Sequence, residues 1–315
     1  MKITRGLAAH TLSPYPVLTI GNFDGQHRGH QALLRTVVRT AAEAGGTPMV
    51  LTFDPHPITV LRPGIDLLLL TPPEEKLARF QEAGIKEVLC LTFDSALAAL
   101  TPEAFVFQVL RDGIGVKELF VGQHFAFGKG RAGRMDDLLR LSAQAGFRVH
   151  AVPPVLVDGE VVSSTRIRHL VQAGELRAAA RCLGRPYGFN GSVIMGAQRG
   201  QALGWPTANL RLPQGLALPP DGVYATIAHW KGEKLSSASY IGSRPTFDAG
   251  ERLLEVHLLD HKVHLYGEEI RVEFIERIRG DLRFDSAQEL SARIEVDVRL
   301  AREALATLPQ TLAEA

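Results

Sequence analysis

Apolar and polar positions change their period once along this chain, near residue 183. Before it, short apolar runs at Val17–Ile20, Met49–Phe53, Glu87–Thr92, Glu118–Val121 and Arg148–Val152 read as strands. Between them, a 3.6-residue period at His30–Ala44, Glu74–Ala83, Pro102–Arg111 and Met135–Ala145 reads as helix. Thr101 before Pro102 is a good start signal, an N-cap hydroxyl followed by proline at the first helical position. Strand–helix alternation of this kind predicts an α/β domain over 1–183, a parallel sheet with helices on both faces.

From Gly184 the apolar runs come without helices between them. Ser192–Met195, Tyr224–Trp230, Ser236–Ile241, Leu253–Leu259 and Glu269–Ile278 read as strands, some joined by turns such as Trp230-Lys231-Gly232-Glu233. The spacing predicts a small antiparallel barrel or sandwich over 184–315. Helical periodicity returns over Ser286–Leu305, with Leu290, Ile294, Val298 and Leu300 on one side, enough for one helix to cap it.

Composition narrows the class of protein. A chain of 315 residues, 45% hydrophobic and 22% charged, has room for two hydrophobic cores. No apolar stretch approaches membrane length, Leu67–Leu70 being far too short, so no membrane association is expected. The opening MKITRGLAAHTLSPYP lacks the apolar centre of a signal peptide, and Cys90 and Cys182 form no disulfide framework. The cytosol is the expected compartment. The formal net charge is +1, with 20 basic and 17 acidic residues up to 183 and 15 and 17 after it. That balance disfavours a nucleic acid polymer as partner and leaves room for a small anion.

The most informative run is GNFDGQHRGH, residues 21–30. A strand feeds a turn carrying Gly21, Asn22, Phe23, Asp24 and Gly25, and the turn opens into a helix beginning near His30. His27 and His30 thus sit beside unpaired N–H groups and a positive dipole end, a place that attracts phosphate. Taken alone, an HxxH pair is more often two ordinary histidines. As a zinc site it lacks the Cys or close-spaced carboxylates that complete one. Other strand ends add to the phosphate reading. TFDPHP, residues 52–57, brings His56, as a ligand contact or as part of a rigid loop. VGQHFAFGKGRAG, residues 121–133, carries His124, Phe125, Lys129 and Arg131, placed with Arg134 to close over phosphates or to form a solvated tip. SSTRIR, residues 163–168, offers Ser164, Thr165 and Arg168 at a helix start, for capping or for phosphate.

With these motifs assembled in order, the first half resembles the nucleotidyltransferase module of the prokaryotic bifunctional riboflavin kinase/FAD synthetases. The second half is similar to their kinase module through GWPTAN (204–209), GVY (222–224), IGSRPTF (241–247), EVH (255–257), LYGE (265–268) and the stretch around Ile278-Arg279. The resemblance implies a Rossmann-like HxGH domain at 1–183 that makes FAD and pyrophosphate from FMN and ATP. It also implies a β-barrel domain with a C-terminal helix at 184–315 that makes FMN and ADP from riboflavin and ATP. His27 and His30 are then the catalytic pair of adenylyl transfer, acting with Ser164, Thr165 and Arg168. Glu255 is the candidate base of the kinase, although a carboxylate lining the outer face of a strand is the plainer alternative. Thr207 and Asn209 suit Mg²⁺ and phosphate oxygens, or simply form the turn after Pro206. Gly196 and Gly200 let a loop approach phosphates. His56, His124, Phe125 and Arg279 join as nucleotide or flavin contacts.

Three positions depart from the family pattern: His124 where Asp or Asn is common, Tyr240 for Asn, and His264 for Asp. His257, His261 and His264 are expected to be unliganded. Rival readings are a chain active in one module alone, a flavin-binding regulator without turnover, and a cytidylyltransferase acting on a phosphorylated alcohol.

Overall fold

A computed structural model describes residues 1–195, 204–243, 252–261, 263 and 265–307. Gly196, Gly200 and His264, together with 244–247 of the IGSRPTF motif, lie outside the described residues. The chain divides into two compact units, Met1–Ser164 and Thr165–Ala315.

In the first unit, six strands form one sheet: β1 (Lys2–Arg5), β2 (Pro16–Ile20), β3 (Thr47–Asp54), β4 (Glu87–Thr92), β5 (Glu118–Gly122) and β6 (Arg148–Val152). Their order is β1-β4-β3-β2-β5-β6, and every neighbouring pair is parallel. The expected strands all appear, and β1 is an addition that four residues of mixed polarity at the N-terminus did not signal. Both faces of the sheet are buried because successive strand side chains alternate in direction. Leu18, Met49, Leu51, Leu89 and Leu119 pack into one cluster, and Val17, Val50, Val88 and Phe120 into the other. Helix α1 (Arg28–Glu43) covers the second cluster with Leu34, Val37 and Ala41. The helix expected over Pro102–Arg111 begins as α at Pro102–Ala104 and continues as a wider π-helix over Phe105–Ile114. That widening keeps Phe105, Val106, Val109, Leu110 and Ile114 all buried.

In the second unit, a closed antiparallel barrel settles the choice between barrel and sandwich. Its strands are β9 (Tyr187–Ile194), β10 (Ala208–Arg211), β11 (Gly222–Trp230), β12 (Glu233–Ser243), β13 (Arg252–Leu258) and β14 (Glu269–Gly280), counted after the short hairpin β7 (Leu156–Val157) and β8 (Glu160–Val161) of the first unit. They close in the order β10-β13-β12-β11-β14-β9. Lys231 and Gly232 both take positive φ, +49° and +86°, as a two-residue turn between twisted strands requires. The C-terminal helix Ala287–Ala306 lies on the barrel through Val298, Ala301 and Ala304, with Ile294 and Leu305 alongside. The buried face therefore runs through Ala301 and not Leu300, and its small residues allow close approach to Ala225 and Ala238.

One buried carboxylate holds the amino-terminal edge of the first sheet. Glu118 accepts from Tyr15 Oη at 2.9 Å, from Arg148 and from His150 Nε2 at 2.6 Å. Burial alone would raise its pKa, but the hydrogen bonds from Arg148, His150 and Tyr15 outweigh burial and hold it at about 2. A depressed carboxylate adds stability above its unfolded-state pKa and loses it as pH falls toward the folded value. Glu118→Gln is therefore expected to cost roughly 2–3 kcal/mol at pH 7. In thermal melts across pH 2–7 the gap from wild type should close between about 4.5 and 2; a gap independent of pH would contradict this account.

Candidate active sites

Strand β2 is hydrogen-bonded to β3 on one side and β5 on the other, so the direction in which strands are added reverses there. Ligands of open parallel sheets bind outside the carboxyl ends at such a switch point. The GNFDGQHRGH run leaves β2 at that place. Phe23 adopts a left-handed backbone, Asp24–Gln26 form a short 3-10 turn, and His27 caps α1. The helix thus starts two residues before His30, at Arg28.

The histidines are packed face to face, with centroids 3.7 Å apart and planes 17° apart. At Gly29, between them in sequence, a Cβ would lie 3.1 Å from the His27 ring, so a larger residue there would crowd the stack. His27 Nδ1 accepts from the His30 backbone N–H at 3.4 Å, which leaves the proton of a neutral His27 on Nε2. Burial first, and the neighbouring His27 second, push the His30 pKa well below its ordinary value. His30 is therefore neutral at physiological pH, with Nδ1 enclosed and given no hydrogen-bond partner among the described residues. Phe23 is 1% exposed and packs edge-on against Phe80, so its ring belongs to the core beneath the turn.

Interior bonds hold the turn in shape. Asp24 Oδ1 accepts from the backbone N–H groups of Leu70 at 2.9 Å and Thr71 at 3.2 Å. Its own carbonyl accepts from Ser164 Oγ at 2.8 Å, tying that residue to the turn. Thr165 and Arg168 follow on the helix that Ser164 begins, Ser164–Ala173. Lys76 is a residue the sequence pattern did not single out. Its Nζ lies 3.5 Å from the Asn22 carbonyl, and its own carbonyl accepts from Gln26 Nε2 at 2.7 Å. Burial lowers its pKa, with Cys90, Asp24 and Asp54 pulling the other way. Only a charge within an ordinary helical pattern marked it in the sequence.

A cavity of about 630 Å³ opens beside Gly21 and Asn22. His56, His124 and Phe125 line it, together with Phe53 and Arg62, which sequence reasoning had not named. His56 Nδ1 also caps the helix Pro57–Leu61, accepting from Ile58 N–H at 3.3 Å, so it stabilises its loop as well as lining the cavity. His27 and His30 are not in the wall of this cavity.

In the barrel unit, register sets the second constellation. Glu255 on β13 stands opposite Asn209 on β10 and Tyr240 on β12, so three polar side chains face the same side of adjacent strands. Thr207 Oγ1 lies 3.5 Å from Glu255 Oε2. The GWPTAN run is pinned at both ends: Trp205 Nε1 donates to Ser291 Oγ at 3.2 Å, and His257 Nδ1 lies 2.8 Å from the Pro206 carbonyl. His257 is thus engaged with backbone, and His261 is exposed. Arg279 directs its guanidinium at Asp297 of the C-terminal helix, Nη2 to Oδ2 at 2.8 Å and Nε to Oδ2 at 2.9 Å. Among the described residues, no three His, Cys, Asp or Glu side chains gather as a metal site.

Comparison with known proteins matches each half of the chain to a family. A family model described as FAD synthetase matches residues 11–166, and one described as riboflavin kinase matches 183–305. The bifunctional riboflavin kinase/FMN adenylyltransferase of Escherichia coli (strain K12) is 39% identical over 308 residues, covering 96% of this chain and 97% of that protein. The chain belongs to this bifunctional family. The Bacillus subtilis (strain 168) member is 36% identical over 289 residues, covering 89% of this chain and 90% of that protein. A crystal structure of a protein named macrolide-efflux protein, from Streptococcus pneumoniae, has TM-score 0.87 at 30% identity, covering 96% of this chain and 99% of that one. Among the described residues of the present chain, no helix is long and apolar enough to cross a membrane.

The buried Asp24 carboxylate gives a direct test of what shapes the family's HxGH turn. Asp24→Ala strands two backbone N–H groups, each costing about 1–3 kcal/mol when left unpaired. Urea unfolding should show a loss of roughly 2–4 kcal/mol, with Asp24→Asn, which keeps an oxygen acceptor, losing clearly less. Equal losses would mean that charge, and not these bonds, secures the turn.

Proposed function

We infer that this protein phosphorylates riboflavin with ATP to give FMN, and adenylylates FMN with a second ATP to give FAD and pyrophosphate. The two family matches, each over its own half of the chain, support both activities and do not favour a one-module enzyme, a silent flavin-binding protein or a cytidylyltransferase. Residues 1–183 are proposed as the adenylyltransferase module and 184–315 as the kinase. The helix Leu176–Leu183 packs on β9 and β14, so the last stretch before this boundary folds against the barrel. A cytosolic setting is part of the same proposal, since Cys90 and Cys182 form no disulfide framework.

The observation that carries the adenylyltransferase reading is the stacked histidine pair at a helix N-terminus, at the switch point of the sheet. The FMN phosphate is ionised at neutral pH, its second pKa being about 6, so it attacks the α-phosphorus of ATP without a general base. The new P–O bond forms as the bond to pyrophosphate breaks. Charge grows on the α-phosphoryl oxygens and on the departing group. His27 offers Nε2–H, and neutral His30 offers a ring N–H, as donors that need no reorganisation. Gly21, Asn22, Gly25, Ser164, Thr165 and Arg168 are assigned to the phosphates, with Phe23 and Asp24 holding the shape of the turn. The cavity lined by Phe53, His56, His124 and Phe125 has the size and aromatic character to receive a flavin ring system.

The kinase needs what the other site lacks. Its nucleophile is a ribityl hydroxyl, weak until it loses a proton, and Glu255 is assigned as the base that takes it. A hydroxyl, an amide oxygen and a carboxylate converge at Thr207, Asn209 and Glu255, a hard-oxygen set that fits Mg²⁺. Mg²⁺ held there by Thr207 and Asn209 would neutralise charge between the β- and γ-phosphates of ATP. Gly196 and Gly200 are assigned to the phosphate loop, and Arg279 to orienting the flavin side through its bond to Asp297.

Separate assays with FMN or riboflavin supplied, followed by chromatography, test both assignments. His27→Ala and His30→Ala should each slow FAD formation from FMN on the order of a hundredfold while leaving FMN formation intact. Wild-type FAD synthesis in the double variant would refute the histidine assignment. For the other site, Glu255→Gln should impair FMN formation and spare FAD formation from supplied FMN; equal loss of the two would remove Glu255 as the base.

A further inference from the structure

Tyr240 stands where the family commonly has asparagine, and its surroundings give it work to do. It is the direct cross-strand neighbour of Glu255, with Asn209 next in line beyond that carboxylate. On its other side it pairs with Val223 of β11, two residues before Ala225, which lies under the C-terminal helix. Side chains two apart on a strand share a face, so the row Asn209–Glu255–Tyr240 lies on the outer wall of the barrel. The half-buried phenol runs along β12 over Gly242, where a Cβ would overlap its hydroxyl. The hydroxyl ends 2.9 Å from Asp281 Oδ1. Burial first, then the hydrogen bond and the charge of Asp281, push the phenol pKa well up, so it stays protonated and donates to that carboxylate.

A phenol that donates to a carboxylate keeps its oxygen lone pairs for a donor from elsewhere. Carboxylates on both sides, Asp281 and Glu255, make this end of the row repel phosphate and welcome an uncharged polyol. We propose that Tyr240 is a substrate-positioning residue of the kinase: its hydroxyl, anchored on Asp281, accepts a hydrogen bond from the ribityl chain of riboflavin and sets that chain against Glu255. The row then has a polarity, with ATP toward Thr207 and Asn209 and the polyol toward Tyr240. This assignment rests on Glu255 being the base.

Steady-state kinetics of FMN formation by the full chain test it, with riboflavin and ATP varied separately. Tyr240→Phe should raise the KM for riboflavin about three- to tenfold, the worth of one hydrogen bond, with the KM for ATP and FAD formation from FMN unchanged. Asp281→Ala should raise it similarly, and Asp281→Asn, which keeps an oxygen acceptor for the phenol, should recover most of that loss. A riboflavin KM within twofold of wild type in Tyr240→Phe overturns the proposal. So does an equal rise in both KM values, the mark of a merely structural residue. Glu255→Gln run alongside separates the two readings. Loss of its FMN formation with a silent Tyr240→Phe sinks only the tyrosine assignment, whereas retained activity in Glu255→Gln sinks the base and the tyrosine assignment that rests on it.

Discussion

Backbone hydrogen bonding between β2 and its two neighbours sets the positions of nearly everything at the first site. Thr19 of β2 is opposite Val50 on one side and Phe120 on the other, so three strands run in register toward one edge. Their ends deliver Gly21, Phe53 and Gly122, and the loops beyond them carry His27, His56 and His124, of which His56 and His124 meet in the cavity wall. A slip of one residue would reverse every buried side chain on a strand packed on both faces. The hydrophobic clusters on the two faces therefore fix the register, and the register fixes the crevice.

The same logic runs through the barrel with a different geometry. Closure leaves no free choice of pairing, and the antiparallel partners of Glu255 are Asn209 and Tyr240. A polar row across three strands is costly to bury, and its members are only partly enclosed apart from Asn209, 3% exposed. The surrounding anchors spend their bonds on rigidity. Trp205 and His257 hold the GWPTAN run, and Arg279 meets Asp297, itself buried at 3% exposure, at the capping helix. An anchor of this kind limits how far a side chain at the site drifts, and small displacements are expensive in phosphoryl transfer.

Much of this was legible in the sequence, and the parts that were not share a cause. Strand–helix alternation, the change of period near 183 and the glycine turn before His30 follow from local chemistry, which a linear chain displays. The edge strand β1 has little apolar signal, because Lys2–Arg5 earns its place by pairing with β4. Lys76 sits in an ordinary helical pattern and Arg62 in the bend after a short helix, and only folding reveals that one meets the Asn22 carbonyl and the other the cavity wall. Leu300 fitted the apolar stripe of the last helix, yet Ala301 is the residue that packs, because close approach to Ala225 and Ala238 favours a small side chain. Tyr240 was visible only as a departure from family pattern; its link to Asp281 spans 41 residues and depends on the barrel closing.

The contrast between the two sites follows from their nucleophiles. A phosphate monoester arrives ionised, so a base would be idle and a carboxylate would repel it; imidazole donors at a helix N-terminus are the better environment. The depressed His30 pKa keeps that ring uncharged, which allows two imidazoles to stack 3.7 Å apart without repulsion. A hydroxyl arrives protonated and uncharged, so a carboxylate neither repels it nor is idle. Phosphates must then be held away from the base by other groups, and Thr207 and Asn209 lie on the side of Glu255 opposite Tyr240. As proposed, histidine pair and carboxylate row are two answers to one electrostatic problem, namely how to bring an oxygen nucleophile to phosphorus that already carries negative charge.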